Sequence, residues 1–185
     1  MKNKTELRKE IRSSMAALPM EARASASRRL QERLRDELPG NLRRIGIFLP
    51  LPDEPDLRPV FSDWLKQGSE LLLAVPDGQS WCWRELKALS PLQPAALGIS
   101  IPPLRPGQPP APELALVPGR AFTVSGERLG RGKGIYDRLL TQAETIPWGL
   151  CFSCQLREKL PQEAWDVRMA RVLTESDPDV ATRTP

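Results

Sequence analysis

The order of segments between Arg44 and Val75 constrains the fold of this chain more than any other feature. Arg44 to Leu49 (RIGIFL) is a short β-rich run, and the turn-forming stretch PLPDEPD follows it. A helical segment from Leu57 to Gln67 comes next, with Val60, Phe61, Trp64 and Leu65 on its apolar side. Gly68 closes that segment, and Leu71 to Val75 is a continuous apolar run of the kind a fully buried parallel strand shows. Strand, helix and strand in this order predict a layered α/β domain.

The flanking segments extend that frame. Leu7, Ile11 and Met15, then Leu30, Leu34 and Leu38, recur at helical spacing and predict helices over Thr5 to Ala17 and Ala22 to Leu38, punctuated by Pro19 and Pro39. Trp81 to Leu86 reads as a further strand. Residues 90–113 concentrate proline and cannot sustain a helix, so they are expected to form an ordered surface loop or flap. The chain beyond them is too short for an ordinary independent domain, and 1–185 is read as one domain. Leu114 to Val117 resumes as a strand, Ile135 to Thr145 as a helix, Trp148 to Phe152 as a core strand and Val167 to Leu173 as an edge strand.

Composition narrows the chemistry. The chain has no histidine, which removes Ser-His-Asp and Cys-His nucleophiles and every metal site that needs imidazole. Its net charge of +4 favours anionic partners, but the cations are dispersed among acids and no basic stripe interleaves with aromatics. Small phosphorylated or carboxylated ligands are therefore expected rather than nucleic acid. No apolar run approaches the roughly 18 residues of a membrane helix, and the first residues are strongly charged. With three cysteines, an odd number, there is no disulfide framework. The expectation is a cytoplasmic protein without a membrane partner.

One loop carries the functional reading. Arg128 to Arg138 (RLGRGKGIYDR) sets three alternating glycines among four cations between a strand and a helix. Glycines let backbone N–H groups approach phosphate oxygens, Lys133 supplies a point charge and Arg131 a planar fork. No Ser or Thr follows Lys133, so this is not a Walker loop, and the G-x-G-x-G spacing is not the dinucleotide fingerprint. A glycine-arginine loop taken alone reads equally well as a flexible surface turn.

The longer string GRAFTVSGERLGRGKGIYDR resembles the signature region of the 5-formyltetrahydrofolate cyclo-ligase family, also called methenyltetrahydrofolate synthetases. Lys4-Thr5-Glu6-Leu7-Arg8 resembles that family's basic pair spaced four apart. Phe48 to Glu54 resembles its strand-end segment with an acidic pair, and Trp165-Asp166 through Thr174-Glu175 its C-terminal block. The resemblance implies a three-layer α/β/α domain with a mainly parallel central sheet and an active site at the strand ends, between the glycine loop and PLPDEPD. It implies a monomeric enzyme using ATP and Mg²⁺ to convert 5-formyltetrahydrofolate, with or without a polyglutamate tail, into 5,10-methenyltetrahydrofolate, ADP and phosphate. In such a reaction the formyl oxygen attacks the γ-phosphate, N10 captures the phosphorylated iminium, and phosphate leaves.

Residue by residue, the resemblance implies that Lys4, Arg8 and Arg128, Leu129, Gly130, Arg131, Gly132, Lys133, Gly134, Ile135 and Tyr136 contact the nucleotide. It assigns Leu49, Glu54 and Arg131 to Ile135 to the folate, Asp137 and Asp166 to Mg²⁺, and catalytic work to Arg131, Lys133 and Tyr136. Four positions depart from the family pattern: Thr123 stands where an aspartate is usual, Ile135 where a second aromatic is usual, Trp165 where a histidine often precedes the aspartate, and Ala170 where an aspartate is frequent. Two other readings stay open. A degenerate member could bind nucleotide or folate without turnover, and Cys151-Phe152-Ser153-Cys154 has the spacing of a reactive thiol pair, although Cys151 follows a strand-like run and reads as a small core residue.

Overall fold

Asn3 starts the first helix, α1 (Lys4–Ala17), in the computed structural model, which describes residues 3–78, 80–94, 100–141 and 144–176. Its side chain accepts the Thr5 and Glu6 N–H groups while Glu6 accepts the Asn3 N–H, a reciprocal cap. Leu7, Ile11 and Met15 are buried along one side of α1. The second helix, α2 (Met20–Glu37), buries Leu30 and Leu34.

The strand, helix, strand order between Arg44 and Val75 folds as read. β1 (Arg44–Ile47), α3 (Arg58–Lys66) and β2 (Glu70–Asp77) form a βαβ unit, with Ile45 opposite Leu71 in a parallel pair. β3 (Ser80–Glu85) returns antiparallel on β2. In the proline-rich segment, β4 (Gln93–Pro94) and β5 (Ser100–Ile101) pair as a short ribbon, and the part of that loop at 95–99 lies outside the described residues. β6 (Leu114–Pro118) follows, then a hairpin of β7 (Ala121–Phe122) and β8 (Arg128–Leu129), the short helix α4 (Ile135–Leu140), β9 (Ile146–Leu150) and β10 (Arg171–Leu173).

Six strands make one sheet in the order β10-β9-β6-β1-β2-β3, parallel throughout except for β3 at one edge. Side chains alternate across it as the period of two requires. Ile45, Ile47, Leu71, Leu73, Leu114, Leu116 and Leu150 pack with α2 and α3 on one face. Leu72, Ala115 and Val117 pack with Leu139 and Leu140 of α4 on the other. The α1 stripe joins neither face but packs on Ala121, Leu129, Phe152 and Leu160. Gly149 of β9 needs to be glycine, because a Cβ there would sit 2.5 Å from the Phe122 ring.

Several boundaries differ from the sequence reading, among them the following three. The helix expected over Ile135 to Thr145 ends at Leu140, with Thr141 as its cap; of its remainder, 142–143 lie outside the described residues. β9 begins at Ile146, two residues early, because Ile146 pairs with Leu114 of β6; Pro147 still accepts a hydrogen bond through its carbonyl, from Ala170 N–H at 2.8 Å. The edge strand at the C-terminal side is only Arg171–Leu173, since Val167 is drawn off to donate its N–H to Asp137.

Candidate functional site

The chain leaves β1 toward β2 on one side of the sheet and reaches β6 on the other, so the strand order reverses between β1 and β6. Ligands in open α/β sheets favour the crevice outside the carboxyl ends of strands at such a point. The loop after β1 carries Glu54 and β6 ends at Pro118, and both line the principal pocket among the described residues. Its other walls come from α1 (Lys4, Arg8), the loop Arg128 to Asp137, and the turn holding Glu163, Trp165 and Asp166.

Each wall has a local cause. The Asn3 cap fixes where α1 begins, and burial of Leu7 and Ile11 turns the adjacent face, with Lys4 and Arg8 one turn apart, toward the pocket. Arg8 Nε donates to the Gly130 carbonyl at 2.8 Å and so ties the helix to the glycine loop. The loop's left-handed turns fall at Gly132 (φ 100°) and Gly134 (φ 60°), where a side chain would be strained. At Gly130 a Cβ would lie 2.8 Å from Arg128 Nη1, so a side chain there would push on the guanidinium that holds Asp137.

Carboxylates partner most of the cations. Arg128, with its side chain only 6% exposed, places Nη2 2.8 Å from both oxygens of Asp137. Arg131 reaches Glu54 through Nε (3.0 Å) and Nη2 (2.8 Å), and also Asp53, which Arg120 pairs from the other side. Glu54 is buried and its second oxygen accepts the Leu51 N–H at 3.0 Å. Lys4 Nζ lies 2.6 Å from Asp166 and 2.8 Å from Glu163. Arg8 and Lys133 have no carboxylate partner among the described residues.

These contacts set the protonation states. Burial raises the Asp53 carboxyl, but hydrogen bonds and charge from Arg131 and Arg120 outweigh it and hold the group below its ordinary value. Burial lowers the Lys4 ammonium and the Arg131 guanidinium, and their acidic partners raise both above the ordinary value. Removal from water, helped by the Glu54 charge, pushes the Tyr136 phenol upward against the pull of Arg128, so Tyr136 is a neutral hydroxyl at physiological pH. Its ring meets Trp83 edge to face at 6.4 Å and lies under the Arg128 guanidinium at 5.9 Å.

Of the residues singled out from sequence, Lys4, Arg8, Glu54, Arg128 to Asp137 and Asp166 come together around this one pocket. Leu49 does not line it and packs against the core cluster of α2 and α3. Arg120 and Glu163 were not legible in the sequence, because nothing in their spacing distinguishes them from surface charges. Asp53 was visible only as part of the acidic turn. Among the departures from the family pattern, Thr123 closes the β7–β8 turn by accepting the Glu127 N–H at 2.9 Å, and Ile135 packs beneath the loop.

Among the described residues no group of three or more Asp, Glu or Cys side chains is placed to enclose a metal by itself. Mg²⁺ ordinarily takes one or two carboxylates and completes its shell with water and substrate phosphate; Asp137 and Asp166 bring two carboxylates to the pocket, where Arg128 engages both oxygens of the first and Lys4 one oxygen of the second. The glycine loop fits a phosphate chain: Arg128 Nε is buried there without a hydrogen-bond partner, and the side-chain-free turns leave backbone open on the pocket wall. The cysteine pair is elsewhere. Cys151 is fully buried, and burial first, then the nearby Glu175 charge, raises both the Cys151 and Cys154 thiols, which leaves neither as a ready thiolate.

The sequence model of the 5-formyltetrahydrofolate cyclo-ligase family matches residues 1–175. The 5-formyltetrahydrofolate cyclo-ligase of Mus musculus is 30% identical over 192 residues, covering 95% of both chains. That of Mycolicibacterium smegmatis is 29% identical over 198 residues, covering 98% of both. The NMR structure of Aquifex aeolicus 5,10-methenyltetrahydrofolate synthetase matches with a TM-score of 0.83 at 32% identity, over 94% of this chain and 90% of that one.

Proposed function

The chain belongs to the 5-formyltetrahydrofolate cyclo-ligase family, a family of enzymes, and on that footing we propose that it closes 5-formyltetrahydrofolate to 5,10-methenyltetrahydrofolate with consumption of ATP and Mg²⁺. The observation that carries this reading is the charge of one pocket: five cations face four carboxylates, and among the described residues Arg8 and Lys133 are the two of these cations without an acidic partner. The reaction needs the formyl oxygen held in line with the γ-phosphorus and the developing charge neutralised, and neither task needs a histidine.

Arg8 and Lys133 neutralise the phosphate chain, while the backbone of Gly130 to Gly134 cradles it and Arg128 Nε supplies a further donor. Glu54, positioned by the Leu51 N–H and Arg131, accepts hydrogen bonds from the amino-bearing ring of the folate. Arg131 bridges this acceptor and the glycine loop, so it orients the formyl group relative to the phosphate. Tyr136, neutral and anchored on Trp83, borders the reacting groups as a donor that does not titrate. One surplus positive charge cannot balance a triphosphate; Mg²⁺ held by Asp137 and Asp166 supplies the missing charge when bound.

The test mixes the purified protein with 5-formyltetrahydrofolate, Mg²⁺ and ATP and follows the absorbance of the methenyl product. Product formation that requires all three is expected; folded protein that gives none overturns the enzymatic reading and leaves a binding protein. Turnover is also expected to persist when Cys151 and Cys154 are both replaced by Ala, and its loss in a folded variant would instead assign the thiols a role. No helix among the described residues is long and apolar enough to cross a membrane. One domain over 1–185, a cytoplasmic location and a monomeric state belong to the same reading, the last being checked by sedimentation.

A further inference from the structure

We propose that Trp165 is the platform on which the base of the nucleotide stacks, an assignment that rests on the ATP reading above. Trp64, Trp83 and Trp148 are each 7% exposed, whereas Trp165 is 68% exposed. It lines the pocket together with Lys4, Arg8 and Asp166, and differs from the pocket's other aromatic, Tyr136, whose ring is held against Trp83. Leaving an indole in water forgoes the burial that normally stabilises it, so its position here calls for a ring to cover it.

The exposure is built, not incidental to a loose loop. Asp166 N–H donates to the Glu163 carbonyl at 3.0 Å, and Asp166 Oδ2 accepts the Glu163 N–H at 2.8 Å, which closes a tight turn around Trp165. Lys4 then clamps both acids of that turn to the first residue of α1. A side chain carried on a turn fastened at both ends is preorganised, and stacking on it loses little entropy.

Size and neighbours select the nucleotide. The pocket encloses about 190 Å³, less than the roughly 300–1,000 Å³ of ordinary small-molecule sites. A phosphate chain seated in the glycine loop therefore leaves its base outside the enclosed space, at the rim. Trp165 belongs to the wall fastened to α1, whereas Glu54, the acceptor suited to an amino-bearing pterin, belongs to the β1 loop and is fastened to Arg131. A flat heteroaromatic ring attached to an anionic chain is the ligand that uses the indole and the cations together.

Calorimetric titration of wild type, Trp165→Ala and Trp165→Phe with ATP plus Mg²⁺, with inorganic tripolyphosphate plus Mg²⁺, and with 5-formyltetrahydrofolate separates the outcomes. Base stacking on an aromatic side chain corresponds to a loss of about 5- to 150-fold in ATP affinity on truncation. That loss is expected in Trp165→Ala, with tripolyphosphate and folate affinities unchanged and most ATP affinity kept in Trp165→Phe. Equal ATP affinity in Trp165→Ala, or an equal loss for ATP and tripolyphosphate, overturns the platform alone. A loss confined to the folate gives the indole to the other substrate and overturns the nucleotide assignment. Wild type that binds neither ATP nor tripolyphosphate overturns the ATP reading and the platform with it.

Discussion

Replacing Arg128 with Met is expected to lower the unfolding free energy by about 3–5 kcal/mol, read from a denaturant titration, and the melting temperature by roughly 6–20 °C. The Arg128 and Asp137 side chains are 6% and 15% exposed, and the substitution leaves the half-buried Asp137 carboxylate without the guanidinium that both its oxygens accept from. The damage spreads locally, because Asp137 sits in the first turn of α4 and also accepts the Val167 N–H. Adding Asp137→Leu to Arg128→Met is expected to restore most of the stability, since a buried apolar pair avoids the stranded charge. It is expected to restore none of the turnover. Wild-type stability in the single Arg128→Met variant would show that the Arg128–Asp137 pair does not hold the fold together.

The second large effect is on rate alone. Lys133 is exposed, and the only hydrogen bond described for it, from Arg138 Nη2 at 2.9 Å, ends on its carbonyl, which an alanine retains. Lys133→Ala is thus expected to fold with a stability change within about 0.5 kcal/mol. Among the described residues Lys133 has no acidic partner, and on the proposed phosphate reading its charge is free for the ligand. Removing one such preorganised electrostatic contact typically costs about 10²–10³ in rate, and kcat/KM for ATP is expected to fall by that order while KM for the folate changes little. Unchanged kinetics would remove Lys133 from the site.

The helices α1 to α3 and strands β1, β2 and β6 were legible because their signals are local. Leu7, Ile11 and Met15 repeat every four residues, and the apolar run from Leu71 can only be satisfied with both faces covered. The ends of α4 and β9 were not legible. Thr145 and Ile146 favour a strand but Pro147 does not, and the pairing of Ile146 with Leu114, far apart in the sequence, decides where the strand starts. Leu49 illustrates the same limit at the site: Glu54, five residues on, reaches the pocket, whereas Leu49 packs against the α2–α3 core.

By itself the sequence determined the βαβ frame, the exclusion of imidazole chemistry and the identity of a glycine loop able to hold phosphate, because periodicity, composition and missing Cβ atoms are properties of the chain. Tertiary structure decided which charges stay available. Lys4, Arg128 and Arg131 look like Lys133 and Arg8 in the sequence, but folding brings Glu163 and Asp166, Asp137, and Asp53 and Glu54 against the first three, and leaves the last two without an acid. It likewise left Trp165 in the open while burying Trp64, Trp83 and Trp148. Ion pairing and burial depend on which side chains the fold brings within 3 Å, across nine positions for Arg128 and Asp137, 77 for Arg131 and Glu54 and 162 for Lys4 and Asp166, and that proximity exists only once the chain has folded.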